Sequence, residues 1–500
     1  MKMKKILCFI LGPLSMVALH AQTASDALRF SYLPQYGGTA RTVGVGGAMG
    51  ALGGDFATIS MNPAGLATYR TSEFTFTPGF YASKAGSELL NSGTAANTQR
   101  STTFSTANLG LVFAHQPTDS KWKTVNWSFG YNRFQDFNNS VFYEGTTRGS
   151  MTARWRDQAN INKNFDPFEG ALAVETDALF KGVLPGSRDS VWLTDFDTAR
   201  VNTVYKNQAI ETSGGIGEMS FALAGNYDEK LQLGITVGIP LLRYSESKVY
   251  KEQDKTNQIY YFDKMQYDQN LTTTGANSIA SGINVKLGAI FRPVKSVRIG
   301  LAVHSPTTYW LNDRYDARLN YTYTTKSGKT YSVDAKSPDG DVNYTLTTPL
   351  RVLGSAAVLF GKSGFLSADL EWADYSKMNF KYDKAYITDQ NAVNQTITQR
   401  YKSAINARFG GEYAYDIFRF RAGIGLLTSP RTDKDFVNTT YSLGAGLRGK
   451  SFFMDLGWQH RTQKENYTPY KLVESAVNLE QNVTNSYVFN DFLLTFGIKF

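Results

Sequence analysis

From about residue 73 to the C-terminus, the sequence repeats short stretches in which apolar residues alternate with polar or small ones. The clearest stretch places Leu231, Leu233, Ile235, Val237, Ile239 and Leu241 between Gln232, Gly234, Thr236 and Gly238. A β-strand with this period has one apolar face and one polar or small face. Lipid outside and a polar lumen inside require such faces. The pattern therefore predicts an all-β fold, a transmembrane β-barrel that spans residues 73–500.

Fourteen antiparallel strands are predicted, an even number as in single-chain bacterial barrels. They fall at residues 73–82, 104–114, 123–134, 218–227, 231–242, 282–291, 297–305, 348–360, 365–373, 403–415, 417–427, 441–448, 451–459 and 488–500.

The connections between these strands alternate between short and long. The long ones cover about residues 135–217, 244–281, 311–347, 376–401 and 460–487. In bacterial barrels the long loops face the cell exterior and the short turns face the periplasm. The same arrangement is expected here.

The first 21 residues have the features of a secretory signal peptide. Met1 to Lys5 is basic, Ile6 to Leu19 is apolar, and a cleavage site after Ala21 is plausible in sequence. Together with the strand pattern, this segment predicts that the protein is located in the outer membrane of a Gram-negative-type bacterium. The chain has one cysteine, Cys8, inside this segment, so the mature protein is expected to lack disulfides and thiol chemistry.

Several function classes are disfavoured by the sequence. After the signal segment no apolar run approaches the roughly 18 residues of a membrane helix. The net charge of +9 is scattered, which argues against a nucleic-acid partner. His115, His304 and His460 are far apart, and no hydrolase or zinc motif accompanies them. We therefore expect no enzyme activity, no cofactor and no metal site.

Residues 22–72, ahead of the barrel, are rich in glycine and alanine and only weakly periodic. Small residues let a backbone pack closely inside a narrow lumen. This composition predicts a plug within the barrel.

The sequence resembles a known family, the FadL-type outer-membrane transporters of hydrophobic compounds, also called the OMPP1/FadL/TodX family. The resemblance rests on Asn62-Pro63-Ala64, preceded by Gly38-Thr39-Ala40-Arg41, and on further matches that include Leu287–Val294 and Ser367–Ser376. It implies a fourteen-stranded barrel with an N-terminal hatch. It also implies passive uptake of long-chain fatty acids or similar solutes through a loop groove, a lumen pocket and a lateral opening in the wall.

Asn62, Pro63 and Ala64 are, by this resemblance, the gate and ligand-adjacent residues of the hatch. The alternative is that Asn-Pro simply makes a turn, because Asn caps turns and Pro fixes φ.

Two further sets of residues are candidates. In the longest loop Phe168, Leu172, Leu179, Phe180 and Val183 are apolar, and most recur at helical spacing after Pro167. A helix face of this kind lines a ligand groove or packs against a neighbouring loop. Gly130 and Asn132 are candidates for a kink in the wall, because glycine weakens a strand.

The expected partners are a hydrophobic small molecule and the outer-membrane lipid around a monomeric barrel. Two alternatives remain open at this stage: a FadL-like barrel that docks cargo as a protein-secretion accessory, and a haemin receptor. The charged residues predicted to face the lumen are expected to pair with each other or with the plug. They are Lys286, Arg298, Arg351, Asp369, Glu371, Arg408, Glu412, Arg419 and Arg421.

Overall fold

A computed structural model of the chain describes residues 22–33, 37–162, 165–183, 188–197, 203–276, 281–470 and 481–500. The predicted signal peptide, residues 1–21, lies outside the described residues. No helix in the described ranges is long and apolar enough to cross a bilayer.

The described residues are dominated by antiparallel β-structure. The strands are β1 Glu73–Leu89, β2 Asn97–His115, β3 Trp122–Asp136, β4 Asn139–Arg148, β5 Phe180–Val183, β6 Ser190–Leu193, β7 Thr203–Tyr227, β8 Leu231–Gln253, β9 Phe262–Gly275, β10 Gly282–Val294, β11 Val297–His304, β12 Thr308–Thr324, β13 Thr330–Lys336, β14 Gly340–Thr347, β15 Arg351–Leu359, β16 Gly364–Asp374, β17 Asn379–Lys381, β18 Ser403–Tyr415, β19 Phe418–Thr428, β20 Val437–Arg448, β21 Phe452–Tyr467 and β22 Val483–Lys499.

Short helices lie before the barrel and in its long loops. The α-helices are α1 Ala24–Ser31, α2 Ala40–Gly44, α3 Thr152–Asn162, α4 Gly170–Glu175 and α5 Ile387–Arg400. Short 3₁₀ helices form at Phe56–Ser60, Pro63–Thr68, Tyr375–Lys377 and Lys384–Tyr386.

The sheet closes into a barrel because β1 pairs with β2 on one side and with β22 on the other. Closure satisfies the backbone hydrogen bonds of both terminal strands, which lipid requires. Every predicted strand lies on an observed one.

The expected count of fourteen strands is nevertheless wrong, because the closed wall comprises sixteen. Over Leu231–Gly238, β8 pairs directly with β10. Above that level β8 pairs with β9, β9 pairs with β12, and β12 meets β10 at Gly282 and Ile283. The two additional strands are β9 and β12. The apolar face of β12, with Ala317, Leu319 and Tyr321, is buried in a core among the long loops. The outer faces carry the cross-strand partners Asp268 and Arg318, so neither strand shows the lipid-facing apolar pattern on which the count of fourteen rests.

The outer face of the wall exposes large apolar side chains, as a surface in contact with lipid does. One cross-strand row, the upper aromatic row, runs through Trp458, Phe492, Phe80 and Phe104 on β21, β22, β1 and β2. Phe104 is 74% exposed. Aromatic girdles of this kind lie at the membrane interfaces of barrels, so this row marks the upper edge of the apolar band.

Beyond this row the strands continue into a cap on the side of the long loops. The cap has its own core, in which Trp155, Leu172 and Leu179 pack with Tyr267 and Tyr321. The short turns lie at the opposite rim, for example Asp228 to Lys230 between β7 and β8.

Candidate functional site

The interior of the barrel is occupied by residues 37–72, here called the lumen segment. Most of this segment is buried, and its polar groups bond to inward-facing wall residues. Thr124 donates to the carbonyl oxygen of Ala67 at 2.7 Å, and Thr236 donates to that of Ile59 at 2.9 Å. The segment therefore belongs to the same hydrogen-bonded structure as the wall.

Asn62 ties the lumen segment together and joins it to the wall. Its side-chain oxygen accepts from the backbone N–H of Ala64 at 3.1 Å, which caps the 3₁₀ turn that begins at Pro63. Its Nδ2 donates to the carbonyl oxygens of Gly50 at 2.7 Å and Ala289 at 3.2 Å. The Asn-Pro turn is thus formed, and the same asparagine also contacts β10.

The wall beside this turn carries two glycines that pair across β8 and β10, Gly234 and Gly288. A Cβ at Gly234 would lie 2.6 Å from the backbone nitrogen of Ala64. A Cβ at Gly288 would lie 2.8 Å from Cδ of Pro63 and would overlap the side-chain oxygen of Asn62. The turn therefore rests on a part of the wall that has no side chains.

A second glycine pair, Gly110 and Gly130 on β2 and β3, lies beneath the ring of Phe56. A Cβ at Gly130 would lie 2.6 Å from Cζ of that ring. Asn132, two residues further along β3, donates to Oγ of Ser60 at 2.9 Å. Gly130 and Asn132, predicted as a kink in the wall, both lie against the lumen segment, and the kink stays a prediction.

Charged residues hold the opposite side of the lumen segment. Glu412 on β18 accepts from Arg41 of α2 at 3.1 Å and from Arg421 of β19 at 2.7 Å. Arg421 also pairs with Asp455 of β21 at 2.8 Å. The carboxylate of Asp369 accepts from the backbone N–H of Gly50 at 3.0 Å. These ion pairs have the structural role expected of lumen charges.

Helix α1 fills the mouth of the barrel above the lumen segment. The side chain of Phe30 in this helix is buried. The centroid of its ring lies 6.1 Å from that of Phe137 and 5.8 Å from that of Tyr244. Arg351 of β15 donates to the carbonyl oxygen of Ser31. Composition does not distinguish this helix from the plug, but Thr23 and Asp26 have the spacing of a capping box, and the structure shows that they form this box.

The residue before α1 is also fixed in the mouth. Gln22 donates from its side-chain amide to Asp313 of β12 at 2.8 Å, and Tyr344 donates to the same carboxylate at 3.1 Å. Burial raises the pKa of Asp313 to about 6, and the hydrogen bond from Gln22 opposes that rise. The mouth contact is therefore sensitive to protonation.

A cavity of about 40 Å³ remains between α1 and the lumen segment. Phe30, Ser60 and Phe134 line it, beside the buried ion pair of Lys286 and Glu218 at 2.5 Å. This volume is enough for about one water molecule. A larger solute requires α1 or the lumen segment to move.

The wall itself is interrupted between β2 and β3. The two strands pair only from Asn108 with Asn132 down to His115 with Val125. Above that level, residues 97–106 of β2 pair with β1 alone among the described residues, and Ala107 is skipped by a register shift in that pairing. The pairing of β3 with β7 shifts register between Arg133 and Gln135.

Beyond the interruption the chain leaves the plane of the wall. Val141 of β4 packs against the buried Ala85 of β1, and Oγ of Ser83 donates to the side chain of Asn139 at 3.1 Å. β4 thus lies on the lumen side of β1. The result is a gap beside the free edge of β2, at the level of Phe104 in the upper aromatic row.

The loop residues predicted as a groove do not share one surface. Leu172 and Leu179 are buried in the core of the cap, and Phe168 packs against it. Phe180 and Val183 are exposed on β5, which pairs with β6. The expected helix is shortened to α4, so helical spacing does not continue through Val183. The part of this set that is buried packs against neighbouring loops.

Comparison with known proteins shows which solved structures have a similar fold. No family model and no curated protein sequence matches the chain. Among solved structures, a Pseudomonas aeruginosa FadL homologue matches with a TM-score of 0.54 at 13% identity, covering 93% of this chain and 98% of that chain. The chain has a FadL-type fold.

Two further solved structures match with lower scores. The Ralstonia pickettii toluene transporter TbuX matches at 14% identity with a TM-score of 0.49, covering 94% of this chain and 99% of that chain. The Pseudomonas putida toluene transporter TodX matches at 12% identity and 0.48, with the same coverage. The FadL-type resemblance predicted from Asn62-Pro63-Ala64 is confirmed at the level of fold.

Proposed function

We propose that this protein mediates passive uptake of hydrophobic small molecules across the outer membrane, with long-chain fatty acids as the first candidates. The observation that carries the proposal is the gap beside β2 at the level of the upper aromatic row. A barrel that conducts water-soluble solutes has no need of an opening towards lipid. A hydrophobic solute gains by leaving sideways, because it then enters the membrane without crossing water.

In the proposed route the solute enters from the cap, passes the position of α1 and leaves beside residues 97–107 of β2. Its driving force is burial, worth roughly 25 cal/mol per Å² of apolar surface removed from water. The aromatic cluster around Phe30, Phe137 and Tyr244 offers such surface in the mouth.

The lumen segment acts in this proposal as the hatch. Asn62, Pro63 and Ala64 form its contact with Gly234 and Gly288, so a small shift there separates the hatch from β8 and β10. Hatch movement on solute binding supplies the space that the cavity of about 40 Å³ lacks.

Two adjacent positions on the free edge of β2 provide a test of the sideways exit. The hydroxyl of Ser105 is buried, whereas Thr106 is exposed on the outer face. Ser105→Trp fills the gap from inside, and Thr106→Trp adds the same side chain towards lipid. The assay is uptake of a fluorescent long-chain fatty acid by liposomes that contain the folded barrel.

We expect Ser105→Trp to reduce uptake at least tenfold and Thr106→Trp to leave it unchanged. Equal uptake by both variants and the wild type would refute the lateral route. Mass spectrometry of molecules that co-purify with the wild type addresses the ligand itself: a protein cargo or haemin in place of lipophiles would favour the corresponding alternative.

A further inference from the structure

The outer face of β1 and β2 places two cations side by side above the upper aromatic row. Lys84 and Arg100 are direct cross-strand partners, and both side chains are exposed. They lie four residues above Phe80 and Phe104, which are themselves partners. Like charges directly opposite each other destabilise a sheet, so this pair requires a counter-charge.

The described part of the chain provides no counter-charge for them. Neither side chain forms an ion pair with a described carboxylate. On the same face of β1 the next acid is Glu88, four residues further up, which corresponds to about 13 Å along a strand. The row continues through Val488 on β22 and Thr462 on β21, both uncharged. Beyond Arg100 lies the free edge of β2.

The height of the pair matches the headgroup layer of a membrane. Four residues along a strand tilted by 35–45° rise about 10 Å above the aromatic girdle. Lipid phosphates lie just outside the hydrocarbon layer that the girdle delimits. A guanidinium binds phosphate through two parallel hydrogen bonds, and a neighbouring ammonium adds a point charge.

We propose that Lys84 and Arg100 form a binding site for the phosphate of an anionic lipid in the outer leaflet. The lipid source is favoured over free phosphate because Phe80 and Phe104 lie directly below the cations and contact the acyl region. The bound lipid stands beside the free edge of β2, so its chains border the gap in the wall. This proposal rests on the charges of Lys84 and Arg100 and on their cross-strand register. It does not depend on the transport proposal.

The test is retention of phosphate-bearing lipid by the purified barrel, counted by native mass spectrometry. The double variant Lys84→Ser, Arg100→Ser removes the site. The control Lys251→Ser, Lys264→Ser removes the same charge from exposed positions on β8 and β9 in the cap. Migration before and after boiling on a gel verifies that both variants are folded barrels.

We expect the wild type and the control to retain a phosphate-bearing lipid and the site variant to lose it. In nanodiscs that contain lipid A, a phosphorylated glycolipid, the site variant should bind this lipid about 10- to 30-fold more weakly. Equal retention by all three proteins would overturn the proposal. Displacement of the lipid by millimolar inorganic phosphate alone would also overturn it, because the site would then be a site for the free ion.

Discussion

The side chain of Asn62 donates to the carbonyl oxygen of Ala289, 227 residues further along the chain. This bond crosses from the lumen segment to β10, immediately beside the glycine pair Gly234 and Gly288. The wall is therefore shaped to receive the Asn-Pro turn, and contacts at this point set how firmly the lumen segment is held.

Gly288→Ala tests that relationship. Its new Cβ would overlap the side-chain oxygen of Asn62, and overpacking of this kind typically costs about 1–3 kcal/mol. We expect faster hydrogen exchange at the amides of residues 56–68 while the barrel stays folded. Gly354→Ala is the matched control, because a Cβ there meets nothing within 4 Å. Equal exchange in the two variants would contradict close packing of the lumen segment against the wall.

Ile235→Arg tests the orientation of β8. Ile235 is exposed on the outer face and pairs with Leu287 of β10. An arginine near the bilayer midplane costs about 2–4 kcal/mol, so the unfolding midpoint in lipid vesicles should fall. Ile235→Val keeps the apolar character and should change it little. Stability unchanged by the arginine would mean that Ile235 does not face lipid.

Phe30→Ala tests the role of α1 in the mouth. The substitution removes a buried ring that meets Phe137 and Tyr244, a loss worth about 3–5 kcal/mol in a protein core. We expect α1 to leave the mouth more often and fatty-acid uptake by liposomes to rise. Phe30→Leu retains most of the apolar volume and should behave like the wild type. Slower uptake by the alanine variant would indicate that α1 assists solute capture.

The docking of the N-terminal residues should depend on pH through Asp313. Burial raises the pKa of this carboxyl from 3.8 to about 6, although the hydrogen bond from Gln22 opposes the rise. The docked state therefore binds more protons than a released state in which the carboxyl is exposed to water. Docking is therefore strongest below about pH 4, weakens as the pH rises to about 6, and is constant above that value. Asp26, the other nearby carboxyl, pairs with Arg29.

A spin label at Ser25→Cys can report this release. Ser25 is exposed, and the mature chain is expected to contain no other cysteine because Cys8 lies in the predicted signal peptide. The mobile fraction of the label should increase between pH 4 and pH 6. Asp313→Asn should abolish the pH dependence. A dependence that persists in this variant would assign it to another group.

The membrane part of the fold was predictable because side chains alternate between the two faces of a strand and lipid requires the outer face to be apolar. Leu231 to Leu241 satisfies this requirement, and β8 lies there. β9 and β12 carry the partners Asp268 and Arg318 on their outer faces, where a strand in lipid would be apolar, because water surrounds the cap and the constraint disappears. At the candidate site the sequence indicates the Asn62-Pro63-Ala64 turn, which forms, and its role as a gate stays a prediction. Its partners Gly234 and Gly288 meet through cross-strand register, which one sequence does not specify.

The extra length of two strands has a mechanical consequence. β7 has 25 residues and β8 has 23, about twice the 9–11 needed to cross a bilayer, and they remain paired from Tyr227 with Leu231 to Tyr205 with Gln253. On this side the cap is thus a rigid extension of the barrel and is not joined to it by flexible linkers. A force applied to the cap along the strands would act in shear on the long row of hydrogen bonds between β7 and β8. These bonds would have to break together, so the strain would be transmitted directly to the wall.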